Sequence, residues 1–138
     1  MNGYLLATDV IAETLETRPH TKVEAWFAWA YDRPKYLSVI TAGELERAIR
    51  DVTDARRRSQ MVAWLSFSFR GPGSELLLPV TPAVAARWGQ MMAGPARPLA
   101  RDTELLVAAT AAEHGLALVT GRTRTFSGLG LDLIDPFQ

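Results

Sequence analysis

The side chains with chemical potential in this chain are carboxylates placed beside short apolar runs. The run Gly3-Tyr-Leu-Leu-Ala-Thr8 leads into Asp9, and the run Tyr36-Leu-Ser-Val-Ile40 is followed by Thr41 and Glu44. Asp102-Thr103-Glu104 opens an apolar segment, and the run Leu116-Ala-Leu-Val119 ends on Thr120-Gly-Arg122-Thr-Arg124-Thr125. Continuous apolar runs read as buried strands, so these polar residues are expected together on one edge of a sheet. Carboxylates collected there have a chemical use. They hold one or two Mg2+ ions, which activate water and neutralise a phosphodiester during in-line attack. Each acid also has a purely structural reading. Asp9, or Thr8 before it, serves as an N-cap. Glu44, three residues after Thr41, completes a capping box. Asp102 and Glu104 are first-turn acids that complement a helix dipole.

Composition narrows the chemistry. The 138 residues suit one domain, residues 1–138 throughout. Apolar residues make up 48% and charged residues 22%, which supports a packed core and excludes a disordered chain. Lys+Arg and Asp+Glu are both 15, so affinity for polyanions driven by net charge alone is excluded, and any nucleic-acid contact must be local. The absence of cysteine removes disulfides, thiolate metal sites and cysteine nucleophiles. The histidines are His20 and His114, too few for a three-histidine zinc site. A bound metal would therefore have mostly oxygen ligands, which favours Mg2+ or Mn2+. No Lys or Arg precedes Arg18, which argues against a secretory signal, and no apolar stretch is long enough for a membrane span. A cytoplasmic protein is the expectation. Phosphate-binding GxxxxGK[ST] loops and GxSxG elbows are missing from the sequence.

The elements that must position the acids alternate. Strands are expected over 3–8, 36–40, 76–78 and 116–119, with a further one over 131–134. Helices are expected over 10–16, 21–30, from Thr41 through Val52, over 54–69, 81–92 and 103–114. Thr103 to His114 is apolar on most sides and stops at Gly115, the pattern of a buried helix. Loops are expected at Gly71-Pro-Gly73 and Gly94-Pro-Ala-Arg-Pro98. Strands alternating with helices predict an α/β fold, a short parallel sheet of four or five strands covered on both faces. Gly128-Leu-Gly130 reads as a turn, His114 as a helix C-terminal residue, Arg56 to Arg58 as a solvated face, and the four tryptophans as core or interface.

The segments YLLATDVIAETL, YLSVITAGELERAI and DTELLVAATAAEHGLALVTGRTRTFSGLGLDLIDPF resemble the PIN-domain proteins, specifically the VapC-type toxins of bacterial toxin–antitoxin pairs. The resemblance spans nearly the whole chain. It implies a three-layer PIN-like sandwich and Mg2+-dependent endoribonuclease cleavage of cellular RNA, with Mn2+ as an alternative ion. It further implies restraint by a cognate antitoxin, and homodimers. Residue by residue, the family's Leu-Asp-Thr-Asn after the first strand stands here as Leu6-Ala7-Thr8-Asp9. Its first carboxylate is replaced by Ala7, and Asp9 stands where Asn is usual. Its second acid matches Glu44. Counting back from Ala108, its third matches Glu104, with Asp102 close by. Its fourth motif, Thr-x-Asn-x-x-Asp-Phe, stands as Thr120 to Phe126 without an acid. The resemblance thus implies an altered site. Asp9, Glu44 and Glu104 are its expected metal ligands and catalytic acids, with Thr8, Asp102 and Thr120 nearby. Arg122 or Arg124 would position a phosphate, and a charge at Arg122 would repel a second metal ion. The alternative is a catalytically inactive PIN-like protein that acts by binding antitoxin or RNA.

Overall fold

Tyr4–Leu6 form β1, and the chain passes without a loop into helix α1, Thr8–Thr14. Helix α2 covers Thr21–Trp29, β2 Lys35–Ser38 and α3 Val39–Ala48, followed by a 3-10 turn, Ile49–Asp51. Helix α4 spans Ala55–Arg70, β3 Leu77–Leu78, α5 Pro82–Met92 and α6 Asp102–His114. The chain then forms β4, Ala117–Val119, a 3-10 turn at Thr123–Phe126, and β5, Leu133–Ile134. The structure is a computed structural model that describes residues 3–71, 75–94 and 99–138. Pro72 and Gly73 of one expected loop, and residues 95–98 of the other, lie outside the described residues.

The five strands make one sheet in the order β3-β2-β1-β4-β5, and every pairing is parallel. Leu5 sits between Tyr36 of β2 and Leu118 of β4. Alternation along β1 explains how both faces are covered. Tyr4 and Leu6 pack with Val10, Ile11, Leu45, Met61 and Leu65 on one face. Leu5 and Ala7 pack with Val107, Ala108, Ala111 and Phe126 on the other. The sheet is therefore the middle of three layers, as expected. Leu5, Leu105 and Leu118 are wholly buried, and burial of each contributes about 1.5–3 kcal/mol. Helix α6 is apolar on most sides because the sheet-facing cluster takes Val107, Ala108 and Ala111 while Leu105 packs in a smaller cluster with Trp88 and Met91. Gly115 ends it with φ 64°, a left-handed conformation that costs a residue with a Cβ. The turn at Gly128 and Gly130 also forms, with φ 84° and 73°.

Several boundaries differ from expectation by one to a few residues, and two of them bear on the acids. Helix α1 starts at Thr8, so its N-cap is Ala7 and not Thr8 or Asp9. Ala7 keeps its N–H in the sheet, donating to the Val119 carbonyl at 2.9 Å, while its own carbonyl accepts from Val10 and Ile11. Asp9 is thereby carried into the first helical turn. Helix α3 starts at Val39, two residues before Thr41, because the Ser38 hydroxyl accepts the Ile40 N–H at 3.0 Å and caps it. The β-branched pair Val39-Ile40 had suggested strand. With Ser38 as the cap, Glu44 does not complete a box with Thr41. Trp29 also departs from a core role, being 68% exposed. Among the described residues no helix is long and apolar enough to cross a membrane.

Candidate functional site

From β1 the chain runs outward through β2 to β3, then returns to β4 on the other side of β1. The order of connection reverses there, and a crevice opens beyond the carboxyl ends of β1 and β4. That crevice is a cleft of about 300 Å³. Thr8, Asp9, Glu44, Glu104, Thr120 and Arg122 all line it, together with Ala7 and Arg101. Six of the eight residues expected at the site are thus brought together from α1, α3, α6 and the end of β4. Asp102 and Arg124 are not among its lining residues. Asp102 is exposed at the start of α6, where its carbonyl accepts the Trp88 indole N–H at 3.1 Å. Arg124 is exposed in the 3-10 turn after β4.

Each acid has its own partners. Asp9 accepts the Gly121 N–H at 2.9 Å and the Thr120 hydroxyl at 3.2 Å from either oxygen. Thr120 is 1% exposed, and its oxygen in turn accepts the Arg122 N–H at 3.1 Å. Gly121 has no room for a side chain, since a Cβ would meet the Phe137 ring at 2.9 Å and the Asp9 carboxylate at 3.3 Å. Burial pushes the Asp9 carboxyl above the usual aspartate range, and the nearby Glu104 charge adds to the rise. The N–H and hydroxyl donors pull the other way. Glu44 accepts the Thr8 hydroxyl at 2.7 Å on one oxygen and lies 3.5 Å from the Thr103 hydroxyl on the other. Thr8 and the buried Thr41 share a contact of 2.9 Å. Glu104 accepts the Arg101 backbone N–H at 3.0 Å, closing the first turn of α6. It also takes two arms of Arg122, Nε at 2.6 Å and Nη2 at 3.3 Å. Arg101 and Thr103 were not singled out from the sequence. Both adjoin acids that were, which is the signal that could have found them.

No family model matches the chain. Toxin FitB of Neisseria gonorrhoeae is 27% identical over 137 residues, 97% of this chain and 98% of that protein. VapC ribonuclease Y4jK of Sinorhizobium fredii is 27% identical over 136 residues, 97% of each chain. The crystal structure of FitAcB from Neisseria gonorrhoeae superposes with a TM-score of 0.80 at 26% identity, covering 100% of this chain and 99% of that one. The resemblance to the VapC-type PIN-domain toxins is thereby shown, in sequence and in fold.

Against the VapC-type pattern, Ala7 lines the cleft at the end of β1, where the pattern has a carboxylate. Arg122 stands where the pattern has Asn. The remaining donors fit a divalent cation poorly as they lie. Among the described residues, no group of three or more His, Asp or Glu side chains is placed to hold a metal ion. Asp9 is turned to Thr120 and Gly121, and Glu104 to Arg122 and Arg101. The cleft as built is a mixed surface, with acidic side chains beneath a rim of guanidinium groups. Such a surface can take a phosphate in the arginine forks.

Proposed function

We propose that this chain is a VapC-like toxin, an endoribonuclease acting on cellular RNA and neutralised by a cognate antitoxin, with an altered acidic site. The observation that carries the reading is the meeting of Asp9, Glu44 and Glu104 in one cleft at the topological switch of the sheet. Glu44 and Glu104 match acids of the family pattern, and Asp9 stands two residues after the acid that Ala7 replaces. In this reading an RNA phosphate enters the rim, where the forks of Arg122 and Arg101 take its oxygens. Glu44 and Asp9 face the backbone beneath it, oriented by the Thr8 and Thr120 hydroxyls. Mg2+ or Mn2+ is the cofactor class the resemblance implies. The whole chain, 1–138, serves as one PIN-like domain, and homodimers are part of the same reading. The antitoxin is assigned to a second, mostly apolar cleft of about 480 Å³ between α1, α2 and α4, lined by Ile11, Val23, Phe27, Trp64 and Phe67.

The test is cleavage of total cellular RNA with Mg2+ or Mn2+, wild type against Glu44→Gln. Cleavage by the wild type and a loss of about tenfold to a hundredfold in the variant are expected. Equal rates would remove Glu44 from the site. A second reading, an inactive PIN-like protein that binds antitoxin or RNA, is favoured by one observation, the two-armed hold of Arg122 on Glu104. It would be supported by RNA retention without cleavage in either metal.

A further inference from the structure

We propose that the Arg122 guanidinium is the cleft's own counter-ion, held on Glu104 so that a divalent cation is kept out until Arg122 is withdrawn. The proposal takes from the function above only the identity of the cleft, and its test uses no RNA.

The contact is built and not incidental. Arg122 reaches both oxygens of Glu104, at 2.6 and 3.3 Å, the two-point geometry by which a guanidinium grips a carboxylate most firmly. Three further contacts fix where it starts and ends. The Arg122 N–H is held by Thr120 Oγ1 at 3.1 Å, itself bonded to Asp9. Nη2 also donates to the Leu99 carbonyl at 3.4 Å. The Glu104 backbone lies in the first turn of α6, where its side chain closes onto the Arg101 N–H. The Glu104 side chain is only 13% exposed, so water screens this pair less than a surface pair.

Charge decides the consequence. Three carboxylates line the cleft, Asp9, Glu44 and Glu104, and two guanidinium groups, Arg101 and Arg122, line it with them. Arg101 Nε adds a third hold on Glu104, at 3.3 Å. A divalent ion entering this cleft meets a surplus of a single negative charge, and Glu104, the acid that α6 contributes to the cleft lining, is already taken on both oxygens. Affinity for Mg2+-like cations follows the number of free charged oxygens that replace water. The Arg122 side chain itself is 45% exposed, so a competing anion, such as a phosphate, reaches it from solvent and can draw it off Glu104.

The experiment is calorimetric titration of Mn2+ into the full chain as wild type, Arg122→Gln and the double variant Arg122→Gln/Glu104→Gln. Wild type should show little binding up to about 1 mM, Arg122→Gln should gain about tenfold or more in affinity, and the double variant should lose that gain. Wild-type binding as tight as that of Arg122→Gln would overturn the proposal while leaving the nuclease reading standing. Silence in Arg122→Gln, with its melting temperature retained, would also overturn it. If Arg122→Gln fails to fold, the 15N Nε resonance of Arg122 in otherwise native protein takes its place. A resonance that Glu104→Gln shifts supports the pair, and one that Glu104→Gln leaves unmoved sinks it. Absence of RNA cleavage by a variant that does bind Mn2+ would tell against the proposed function and not against this counter-ion.

Discussion

Asp9 shows how a residue lining the cleft is held against its own preference. Its carboxylate sits beneath the sheet edge, with Thr120 and Gly121 donating to it, yet burial outweighs those donors and raises its pKa. A raised carboxyl favours the protonated form in the folded chain. Folding then takes up a proton in the window between the ordinary aspartate value and the raised one. The group's unfavourable contribution is fully present above the raised value, shrinks as pH falls through it, and vanishes below the unfolded one. Asp9→Asn should therefore melt no lower than the wild type at about pH 7, and the difference should close toward about pH 4. Thermal unfolding at several pH values checks this. A variant that melts lower at neutral pH would mean that the Thr120 and Gly121 bonds need the full negative charge.

At the scale of the element, Ser38 decides more than its own helix. By capping α3 it sets the start at Val39, turns Thr41 into the third helical residue and leaves Glu44 facing Thr8 instead of the helix N-terminus. Ser38→Ala should cost about 1 kcal/mol of stability, within a range of roughly 0.5–2, read from denaturant unfolding. A change well below that range would mean that the buried Thr41 and the β2 pairing hold α3 without the cap. The sequence showed the alternation of strands and helices, the parallel sheet and the buried α6 because those rest on local patterns: apolar runs and the Gly115 stop. It misplaced the start of α3 because Val39 and Ile40 favour strands and Thr41 with Glu44 happens to fit a capping box. It misplaced the cap of α1 because Ala7 caps with backbone alone and leaves no side-chain mark. The order of the acids was legible, since each follows or precedes an apolar run. The grip of Arg122 on Glu104 was not, because it joins residues 18 apart in sequence across two elements, and no spacing rule reaches that far.

The molecule as a whole carries no net charge, so its field supplies no general pull on a polyanion. What it offers a nucleic acid is local. Arg101 and Arg122 stand at the cleft, with side chains 74% and 45% exposed. Elsewhere, the Arg56-Arg57-Arg58 run lies along α4, where Arg57 is already paired with Glu16 at 3.3 Å. If the cleft alone holds RNA, two phosphates are contacted. Each contact with a single strand contributes about −0.7 to the slope of log affinity against log salt, so a slope of about −1.4 is expected. The measurement is fluorescence anisotropy of a labelled single-stranded RNA in chelator, across a series of salt concentrations. Arg122→Gln should weaken binding and bring the slope to about −0.7, because one of the two contacts is removed. A slope steeper than about −3 in the wild type would require more cations than the cleft contains. It would move the RNA onto a broader face that includes Arg56 and Arg58, and the two-arginine rim would no longer account for how a neutral protein holds its substrate.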